Sequence, residues 1–568
     1  MLATRASSRI AVTVLAAGVF WLAHTLQDRA LLGQSRGGPA ADPCAGSRDL
    51  RLTNGRIVTM DASGTVASEV TIQNGRIAAV GPSRQRLSPC TRVVDLRGRT
   101  AVPGLIDNHN HLVLLGIRPG YHTPLEGTGS IAEAQAALAA RARTAPAGAF
   151  ITSMGGWNPA QFAEKRLPTL AELDAALPNH PTLVFQAFTG PAATNTRGRT
   201  FFTSRGVAVS ETGSIAANAP SLAALNALRA AQTFDDRKRG TMDAMAYAAS
   251  VGLTTNVDMG AFNLPGTPDL QGSFEADTLA SADQGRMYDA VVALHREGRL
   301  TTRLRLFFLT MDTRPDVPML TARLRNTVSG FGDDMLRISG VGEFATSWPL
   351  FGQKPPSNYT DALQAIARQG WAFQQHSLSA AEDELTIGTF EAVNKTTPIA
   401  DLRWSLAHAG GIDAAKLARL KAVGAAVAVH PFQFLAGGRG GPPLRTILDS
   451  GVKVGAGSDS AQISTLNPWL VIAYMVTGKA SDGSLINGGQ QLSRQEALRL
   501  YTAENGWFLK EERLLGSIEP GKLGDVVVLS DDYFDARRVP DDAIGKLRSV
   551  LTVVDGRVVH DQSRSAVR

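Results

Sequence analysis

Between Ala101 and Lys510 the chain alternates short apolar runs with longer stretches in which apolar residues recur every three or four positions. The short runs predict buried strands, and the longer stretches predict amphipathic helices. Repeated strand–helix units predict a parallel sheet with right-handed crossovers, and about 400 residues of them favour a (β/α)₈ barrel over an open sheet. The predicted strands include Leu183–Phe188, Gly252–Asp258, Leu304–Leu309, Ala372–Gln375, Arg403–Ala407, Ala425–Val429 and Val452–Gly455.

The two ends of the chain have a different pattern, in which β-rich runs flank Asn-Gly or Asp-Gly pairs. Leu52–Val58, Val70–Ile77 and Val550–Val559 have this form and predict β-hairpins, and Asp525–Leu529 predicts a further strand. A half-sheet at each chain end leaves an apolar face exposed, and packing the two together would bury both faces. We therefore predict an α/β fold in which a (β/α)₈ barrel carries a β-sandwich built from both chain ends.

Residues 1–30 have the pattern of an export signal. Arg5 and Arg9 precede an uncharged apolar run from Ile10 to Ala23, as in a secretory signal peptide. The run is shorter than the roughly 20 residues that a spanning helix needs. No clean cleavage site follows, so a cleaved signal and an uncleaved membrane anchor both stay open. In either case we expect an exported protein, periplasmic or secreted, whose contact with the membrane is limited to this segment.

The expected organisation is therefore a signal peptide or anchor (1–30), a linker (31–47), the first part of the sandwich (48–100), the barrel (101–510) and the second part of the sandwich (511–562).

Composition narrows the class of protein. Of the 568 residues, 44% are hydrophobic and 19% are charged, a balance that excludes disordered and collagen-like chains. The net charge of +6 comes without a basic block, so nothing indicates a nucleic-acid partner. No G-x-G-x-x-G motif opens a helix after the first barrel strand, which removes the main indication of a dinucleotide fold. We expect a small-molecule substrate as the partner and leave homo-oligomerisation open.

The chain has two cysteines, Cys44 and Cys90, and both lie outside the predicted barrel. In an exported protein a lone pair of cysteines more often forms a disulfide than a metal site. We predict a disulfide between them, and the alternative is two unpaired thiols.

The strongest chemical signal is a pair of histidines, His109 and His111, at the end of the first predicted barrel strand. Residues i and i+2 of a strand point to the same face, so both imidazoles can reach one cation. Neutral imidazole is a preferred ligand of zinc, and the carboxyl ends of barrel strands are where barrel active sites lie. His376, His408 and Asp459 each follow or end a later predicted strand. As a set, these residues predict a divalent-metal site, with zinc first and one or two ions per chain.

These residues resemble the amidohydrolase superfamily, in the branch of metal-dependent hydrolases that includes N-substituted formamide deformylase. The resemblance covers about residues 50–560. The segments that carry it are the His109–His111 strand, Gly155–Asn158, Pro168–Asp174, Gly252–Thr255, the His376 and His408 strands, Gly457–Asp459, Gly521–Asp525 and Val554–Arg557.

The resemblance implies a barrel with a composite sandwich and assigns a role to each site residue. His109 and His111 match ligands of the more buried metal, and His376 and His408 match ligands of the second metal or of the substrate. Asp459 matches an aspartate that binds metal and serves as general base and then general acid. A divalent ion makes water a nucleophile near neutral pH, and with a histidine such as His408 it stabilises the oxyanion that forms.

The chain departs from the family pattern in two places. Many members have a carbamylated lysine at the end of the fourth strand, whereas Leu336–Phe344 contains no lysine and offers only Glu343. Glu343 either bridges two metals or merely orients a histidine. Where the branch usually has Asp-Gly-His, this chain has Phe188–Pro191, so a substrate-contacting histidine is absent.

Several aromatic residues and one further histidine follow predicted strands. Trp157 and Trp348, with His430, are candidate substrate contacts; for the tryptophans the alternative is loop packing, and for His430 a structural hydrogen bond. Together with Phe432, Phe434 and Trp469, they favour a substrate with an apolar portion.

The function these signals predict is metal-dependent hydrolysis of a non-peptide C–N bond, in an amide, formamide, carbamate or cyclic amide. Two alternatives stay open: a metal-dependent deaminase, and a degenerate homologue that binds without catalysis.

Overall fold

The computed structural model describes residues 42–84, 86–186, 189–260, 287–310, 315–349, 355, 357–436, 440–461 and 463–562. The chain divides into two units, Met1–Ala45 and Gly46–Arg568, and the fold below is that of the second. The export signal expected in residues 1–30 lies outside the described residues. Within these ranges no helix has the length and apolar character needed to cross a bilayer. Cys44 and Cys90 are both disulfide-bonded.

The strands, in chain order, are β1 (Leu50–Thr53), β2 (Arg56–Val58), β3 (Val66–Ala67), β4 (Val70–Gln73), β5 (Arg76–Val80), β6 (Arg92–Asp95), β7 (Thr100–Pro103), β8 (Leu105–Asn110), β9 (Tyr121–His122), β10 (Ile151–Met154), β11 (Thr182–Phe185), β12 (Ala192–Ala193), β13 (Ser214–Ile215), β14 (Leu253–Asp258), β15 (Arg303–Phe308), β16 (Leu336–Glu343), β17 (Ala372–Ser377), β18 (Ser405–His408), β19 (Ala426–Val429), β20 (Lys453–Ala456), β21 (Val526–Leu529), β22 (Ser549–Val554) and β23 (Arg557–Asp561).

The helices are α1 (Leu112–Ile117), α2 (Ile131–Ala142), α3 (Leu170–Ala176), α4 (Thr196–Thr203), α5 (Ala219–Arg229), α6 (Phe234–Ser250), α7 (Asp289–Arg296), α8 (Pro318–Asn326), α9 (Tyr359–Arg368), α10 (Ala380–Asn394), α11 (Ala414–Ala422), α12 (Gln433–Ala436), α13 (Leu444–Asp449), α14 (Pro468–Thr477), α15 (Arg494–Leu500) and α16 (Asn505–Phe508).

The predicted (β/α)₈ barrel is confirmed. Eight parallel strands form one sheet in the order β20-β19-β18-β17-β16-β15-β14-β8, with helices between successive strands. The two end strands meet just beyond their carboxyl ends, where the amides of Ser458 and Asp459 donate to the carbonyl of His109 at 3.2 and 2.9 Å. Most barrel-strand residues are buried, and a strand such as β19 therefore appears in the sequence as a continuous apolar run.

One predicted barrel strand, Leu183–Phe188, belongs to another sheet. The observed strand, β11, lies in a five-stranded sheet of order β13-β12-β11-β10-β9, which is inserted between β8 and β14. Its residues are as buried as those of a barrel strand, so the apolar run alone does not reveal which sheet it joins. Phe188 lies outside the described residues.

Both chain ends contribute to a pair of sheets that share a hydrophobic core. A four-stranded sheet has the order β5-β4-β1-β6, and a six-stranded sheet has the order β23-β22-β21-β7-β2-β3. In the second sheet the C-terminal β21 pairs antiparallel with β7, with Val527 opposite Val102. The two ends are therefore joined by backbone hydrogen bonds as well as by packing.

The three predicted hairpins have different outcomes. The Asn74-Gly75 turn joins β4 to β5, and the Asp555-Gly556 turn joins β22 to β23, each with both turn residues at positive φ. The predicted hairpin at Leu52–Val58 is wrong, because β1 pairs with β4 and β6 while β2 pairs with β3 and β7. At Asn54 the turn carries the chain from one sheet to the other.

Candidate active site

The barrel brings six potential metal-binding side chains together at the carboxyl end of its strands. Parallel strands present their carboxyl ends at one edge, so residues far apart in sequence meet there. Each lies within a strand, at its last residue, or one to three residues beyond it. The six are His109 and His111 at β8, Glu343 at β16, His376 at β17, His408 at β18 and Asp459 beyond β20.

The first group surrounds the ε nitrogens of the histidine pair. His111 Nε2 lies 3.3 Å from Asp459 Oδ1 and 3.5 Å from Glu343 Oε1. His109 Nε2 lies 3.7 Å from Asp459 Oδ1 and 3.6 Å from Glu343 Oε2. Two imidazoles and two carboxylates thus face a common point, which is a donor set that suits zinc.

The second group shares Glu343 with the first. Its Oε2 atom lies 2.6 Å from His376 Nδ1 and 3.5 Å from His408 Nε2, and those two nitrogens are 3.0 Å apart. The Oε1 atom faces His111 at 3.5 Å, as described above. One carboxylate therefore presents an oxygen to each of two donor groups.

The hydrogen bonds of the histidine pair leave their ε nitrogens available. His109 Nδ1 donates to Gln374 Oε1, and His111 Nδ1 donates to the carbonyl of Gly260 at 2.6 Å. A proton on Nδ1 leaves a lone pair on Nε2. Both Nε2 atoms are buried and have no hydrogen-bond partner in the described part of the chain. Two buried nitrogens that lack a hydrogen-bond partner and face two carboxylates fit a bound cation, which would take the place of any proton on them.

The protonation states of the carboxylates and histidines in the site also suit a bound cation. Burial alone would raise the pKa of Glu343, but the adjacent His376 holds it well below its usual value. Burial likewise opposes ionisation of Asp459, and the adjacent His111 imidazole lowers its pKa nonetheless. Among the described residues, the ion-pair partners of both carboxylates are histidines alone. Burial lowers the pKa of His109 to about 4, so this imidazole is neutral and ready to bind metal.

A tight approach of backbones places Asp459 beside the histidine pair. Asp107 accepts hydrogen bonds from the Ser458 hydroxyl at 2.5 Å, from the Ser458 amide at 3.0 Å and from the His109 amide at 3.1 Å. A Cβ at Gly457 would lie 2.7 Å from Asn108 Oδ1 and 2.7 Å from the His109 amide nitrogen. Glycine is therefore required where the chain leaves β20.

The backbone at two of the six positions is in the left-handed region. His408 has φ of 68° and Asp459 has φ of 55°, values that non-glycine residues seldom adopt. Such conformations persist where surrounding structure enforces them, and they concentrate at functional sites.

A family model described as the amidohydrolase family matches residues 92–560 of the 568. The chain belongs to the amidohydrolase family. This amidohydrolase is 25% identical over 575 aligned residues to N-substituted formamide deformylase of Arthrobacter pascens, covering 91% of this chain and 99% of that one.

Solved structures share the fold of this amidohydrolase at low sequence identity. An uncharacterized metal-dependent hydrolase from Pyrococcus furiosus gives a TM-score of 0.55 at 20% identity, over 86% of this chain and 100% of that one. Atrazine chlorohydrolase TrzN from Arthrobacter aurescens, complexed with zinc, gives 0.53 at 18% identity, over 91% of this chain and 97% of that one.

The two tryptophans predicted to contact substrate are buried in hydrophobic clusters of the amidohydrolase. Trp157 stacks on Phe162 with ring centroids 5.6 Å apart, and Trp348 meets Tyr359 edge-on at 5.0 Å. Each indole is only 1% exposed. These contacts are packing contacts, and a role in substrate binding stays a prediction. His430, by contrast, lies within the histidine cluster, with its ring centroid 4.2 Å from that of His109.

The sequence analysis missed the residues that position the six predicted metal-binding side chains. Asp107 and Ser458 lie inside the segments that carry the family resemblance, so their proximity to the predicted ligands was the available signal. Gln374 and Gly260 had no such signal, because an amide side chain or a main-chain carbonyl after a strand is common throughout the chain.

Proposed function

We propose that this amidohydrolase hydrolyses a non-peptide C–N bond in a small organic molecule, with N-substituted formamides as the first substrate class to test. The arrangement of Glu343 and Asp459 among four histidines at the barrel edge carries the proposal. The formamide class is suggested by a relative that aligns along almost its whole length, N-substituted formamide deformylase.

In this proposal His109, His111 and Asp459 hold one divalent ion, His376 and His408 hold a second, and Glu343 bridges the two. Zinc is the first candidate, because the donors are imidazole nitrogens and carboxylate oxygens. A divalent ion in such a site supplies Lewis acidity, which makes water a nucleophile near neutral pH and polarises a carbonyl group. The carboxylate between the two positions offsets the repulsion between two cations.

Asp459 is the general base and then the general acid. Its carboxylate is ionised, and its Oδ1 atom lies at the first donor group while its Oδ2 atom faces His408 Nδ1 at 3.9 Å. From this position Asp459 takes the proton of the attacking water and delivers it to the leaving nitrogen.

Substrate reaches the site past His376. This side chain is 13% exposed, whereas those of Glu343, His408 and Asp459 are exposed by only 4%, 2% and 6%. The ring of Phe344, which is fully buried, stacks on that of His376 with centroids 4.9 Å apart and supports the imidazole.

The test is a substrate screen. Protein loaded with zinc or manganese is assayed against a panel of N-formyl and N-acyl amines, with the released amine quantified and Asp459→Asn as the inactive control. Amine release that the control lacks supports the proposal. Ammonia release instead would indicate a deaminase. Protein that holds no stoichiometric metal and turns over no panel member would indicate a non-catalytic homologue.

We also propose that the chain is exported. The apolar run that follows Arg5 and Arg9 supports export, as do two cysteines in disulfide form, since disulfides persist mainly in oxidising compartments.

A further inference from the structure

His430 follows β19 directly and is fully buried beside the proposed metal ligands. Its Nδ1 atom lies 3.1 Å from His408 Nδ1, within hydrogen-bond distance. Two imidazole nitrogens at this distance form a hydrogen bond only if one carries a proton and the other a lone pair. The direction of this bond therefore determines the tautomer of both rings.

The other nitrogen of His408 determines the direction. His408 Nε2 faces the second donor group, 3.5 Å from Glu343 Oε2 and 3.0 Å from His376 Nδ1. An imidazole binds a metal through an unprotonated nitrogen, so a ligating Nε2 places the proton of neutral His408 on Nδ1. His408 Nδ1 is then the donor, and His430 Nδ1 is the acceptor.

We propose that His430 is a positioning residue that fixes the tautomer and the ring orientation of His408 by accepting its Nδ1 proton. The proposal deepens the function proposed above and rests on its metal site. His430 thus does for His408 what Gln374 does for His109 and the carbonyl of Gly260 does for His111.

A neutral acceptor suits this position better than a carboxylate. Glu343 and Asp459 already place two negative charges in the buried cluster, and a third would carry a large desolvation cost. The imidazole of His430 provides a lone pair without a charge. The proton of His430 then lies on Nε2, a buried atom without a hydrogen-bond partner in the described part of the chain.

Three variants test the proposal. Asparagine places its Oδ1 atom close to where histidine has Nδ1, so His430→Asn keeps an acceptor for His408. Glutamine carries its amide one bond farther out, and His430→Gln moves the acceptor away. His430→Leu removes it while filling part of the space. Circular dichroism and thermal melting are the controls that test whether each variant is folded.

The decisive measurement is zinc affinity, obtained by competition with a chromophoric chelator in the absence of substrate. We expect His430→Leu and His430→Gln to weaken binding of the ion held by His376 and His408 by roughly 10–100-fold. His430→Asn should stay within about threefold of the wild type because the acceptor is retained. In cobalt-loaded protein the visible absorption should change for the leucine and glutamine variants and be kept by the asparagine variant.

Two outcomes would overturn the proposal. Unchanged zinc affinity in His430→Leu would show that His408 needs no acceptor, and an accompanying rise in KM alone would assign His430 to substrate contact. Equal loss in His430→Leu and His430→Asn would show that His430 is itself a ligand or that its packing matters. Because zinc binding is measured without substrate, these outcomes do not depend on whether the formamide panel contains the right compound.

Discussion

The amide of Asp459 donates a hydrogen bond of 2.9 Å to the carbonyl of His109, across 350 residues of intervening chain. This bond joins the two end strands of the barrel and places the proposed general base beside the first proposed metal ligand. Closure of the barrel and assembly of the site are therefore the same event. A substitution that breaks this contact between the end strands should therefore lower both the stability of the fold and its affinity for metal.

Asp459→Asn should keep the fold and lose turnover. The amide has the shape of the carboxylate but cannot accept the proton of water, and it is a poorer ligand of a divalent ion. General acid–base assistance alone accounts for roughly 10²–10⁴-fold in rate. The measurement is kcat together with metal content and circular dichroism. Activity within tenfold of the wild type would place the base elsewhere.

Glu343→Ala should lower the metal content from two ions per chain to one or none. The Oε1 atom of Glu343 faces His111 at 3.5 Å, and its Oε2 atom faces His376 at 2.6 Å and His109 at 3.6 Å, so the carboxylate contacts both donor groups. Because a glutamate replaces a carbamate in this position, wild-type activity should not depend on bicarbonate. Metal analysis of both proteins is the measurement. An unchanged metal count in the variant would assign Glu343 to orienting a histidine.

Gly457→Ala should destabilise the protein by about 1–3 kcal/mol and lower its metal affinity, since overpacking moves neighbouring backbone. The new methyl group would lie 2.8 Å from Asp107 Oδ1 and 2.7 Å from the His109 amide nitrogen. Gly129→Ala is the matched control, because the nearest atom to its added Cβ is Glu133 Oε2 at 3.7 Å. Denaturant unfolding and zinc titration check both variants. Equal free energies of unfolding for the Gly457→Ala and Gly129→Ala variants would contradict the close approach of Gly457 to the backbone of β8.

Metal binding at pH 7 should release protons. Burial opposes protonation of His111, but the adjacent carboxylates of Asp459 and Glu343 raise its pKa to about 9, so His111 is protonated at pH 7 in the metal-free protein. A metal must displace that proton, and zinc affinity should fall as the pH falls below about 9. His109, with a pKa of about 4, contributes no proton at neutral pH.

Calorimetric titration of zinc in buffers of different ionisation enthalpy counts the protons released. At least one per chain is expected, and His111→Asn should release fewer. A proton count of zero for the wild type would contradict the protonated state of His111.

Protein exported to an oxidising compartment should contain no free thiol when denatured without reductant, because both cysteines are in disulfide form. A disulfide that closes a loop of about 45 residues stabilises the folded state by about 4 kcal/mol in the loop-entropy treatment. Thiol titration with and without reductant is the measurement. Two free thiols in the unreduced protein would contradict both the bond and the oxidising compartment.

The barrel, and the meeting of the proposed ligands at one edge of it, could be predicted because two strong physical constraints act on the sequence. Strands buried on both faces favour continuous apolar runs, as in β19, and parallel strands bring residues such as His376 and His408 to one edge. Each proposed ligand is thus a metal-binding residue type at the carboxyl end of a predicted barrel strand.

The remaining features depend on partners that local sequence does not specify. The Asn54-Gly55 pair has the turn chemistry of a hairpin, yet the strands on either side pair in different sheets. The run at β11 is apolar enough for the barrel and pairs elsewhere. Gln374 and His430 contact His109 and His408 through single hydrogen bonds, which only the assembled structure defines.

The pairing of β21 with β7 has a consequence for the order in which the protein matures. β7 leads directly into β8 and its histidine pair, and it lies between β2 and a strand that begins at Val526. A nascent chain that has reached residue 520 already contains all six proposed ligands, but the strand that flanks β7 has not yet been made. The sheet that leads into β8 therefore stays incomplete until β21 has been made, although all six proposed ligands precede β21 in the chain.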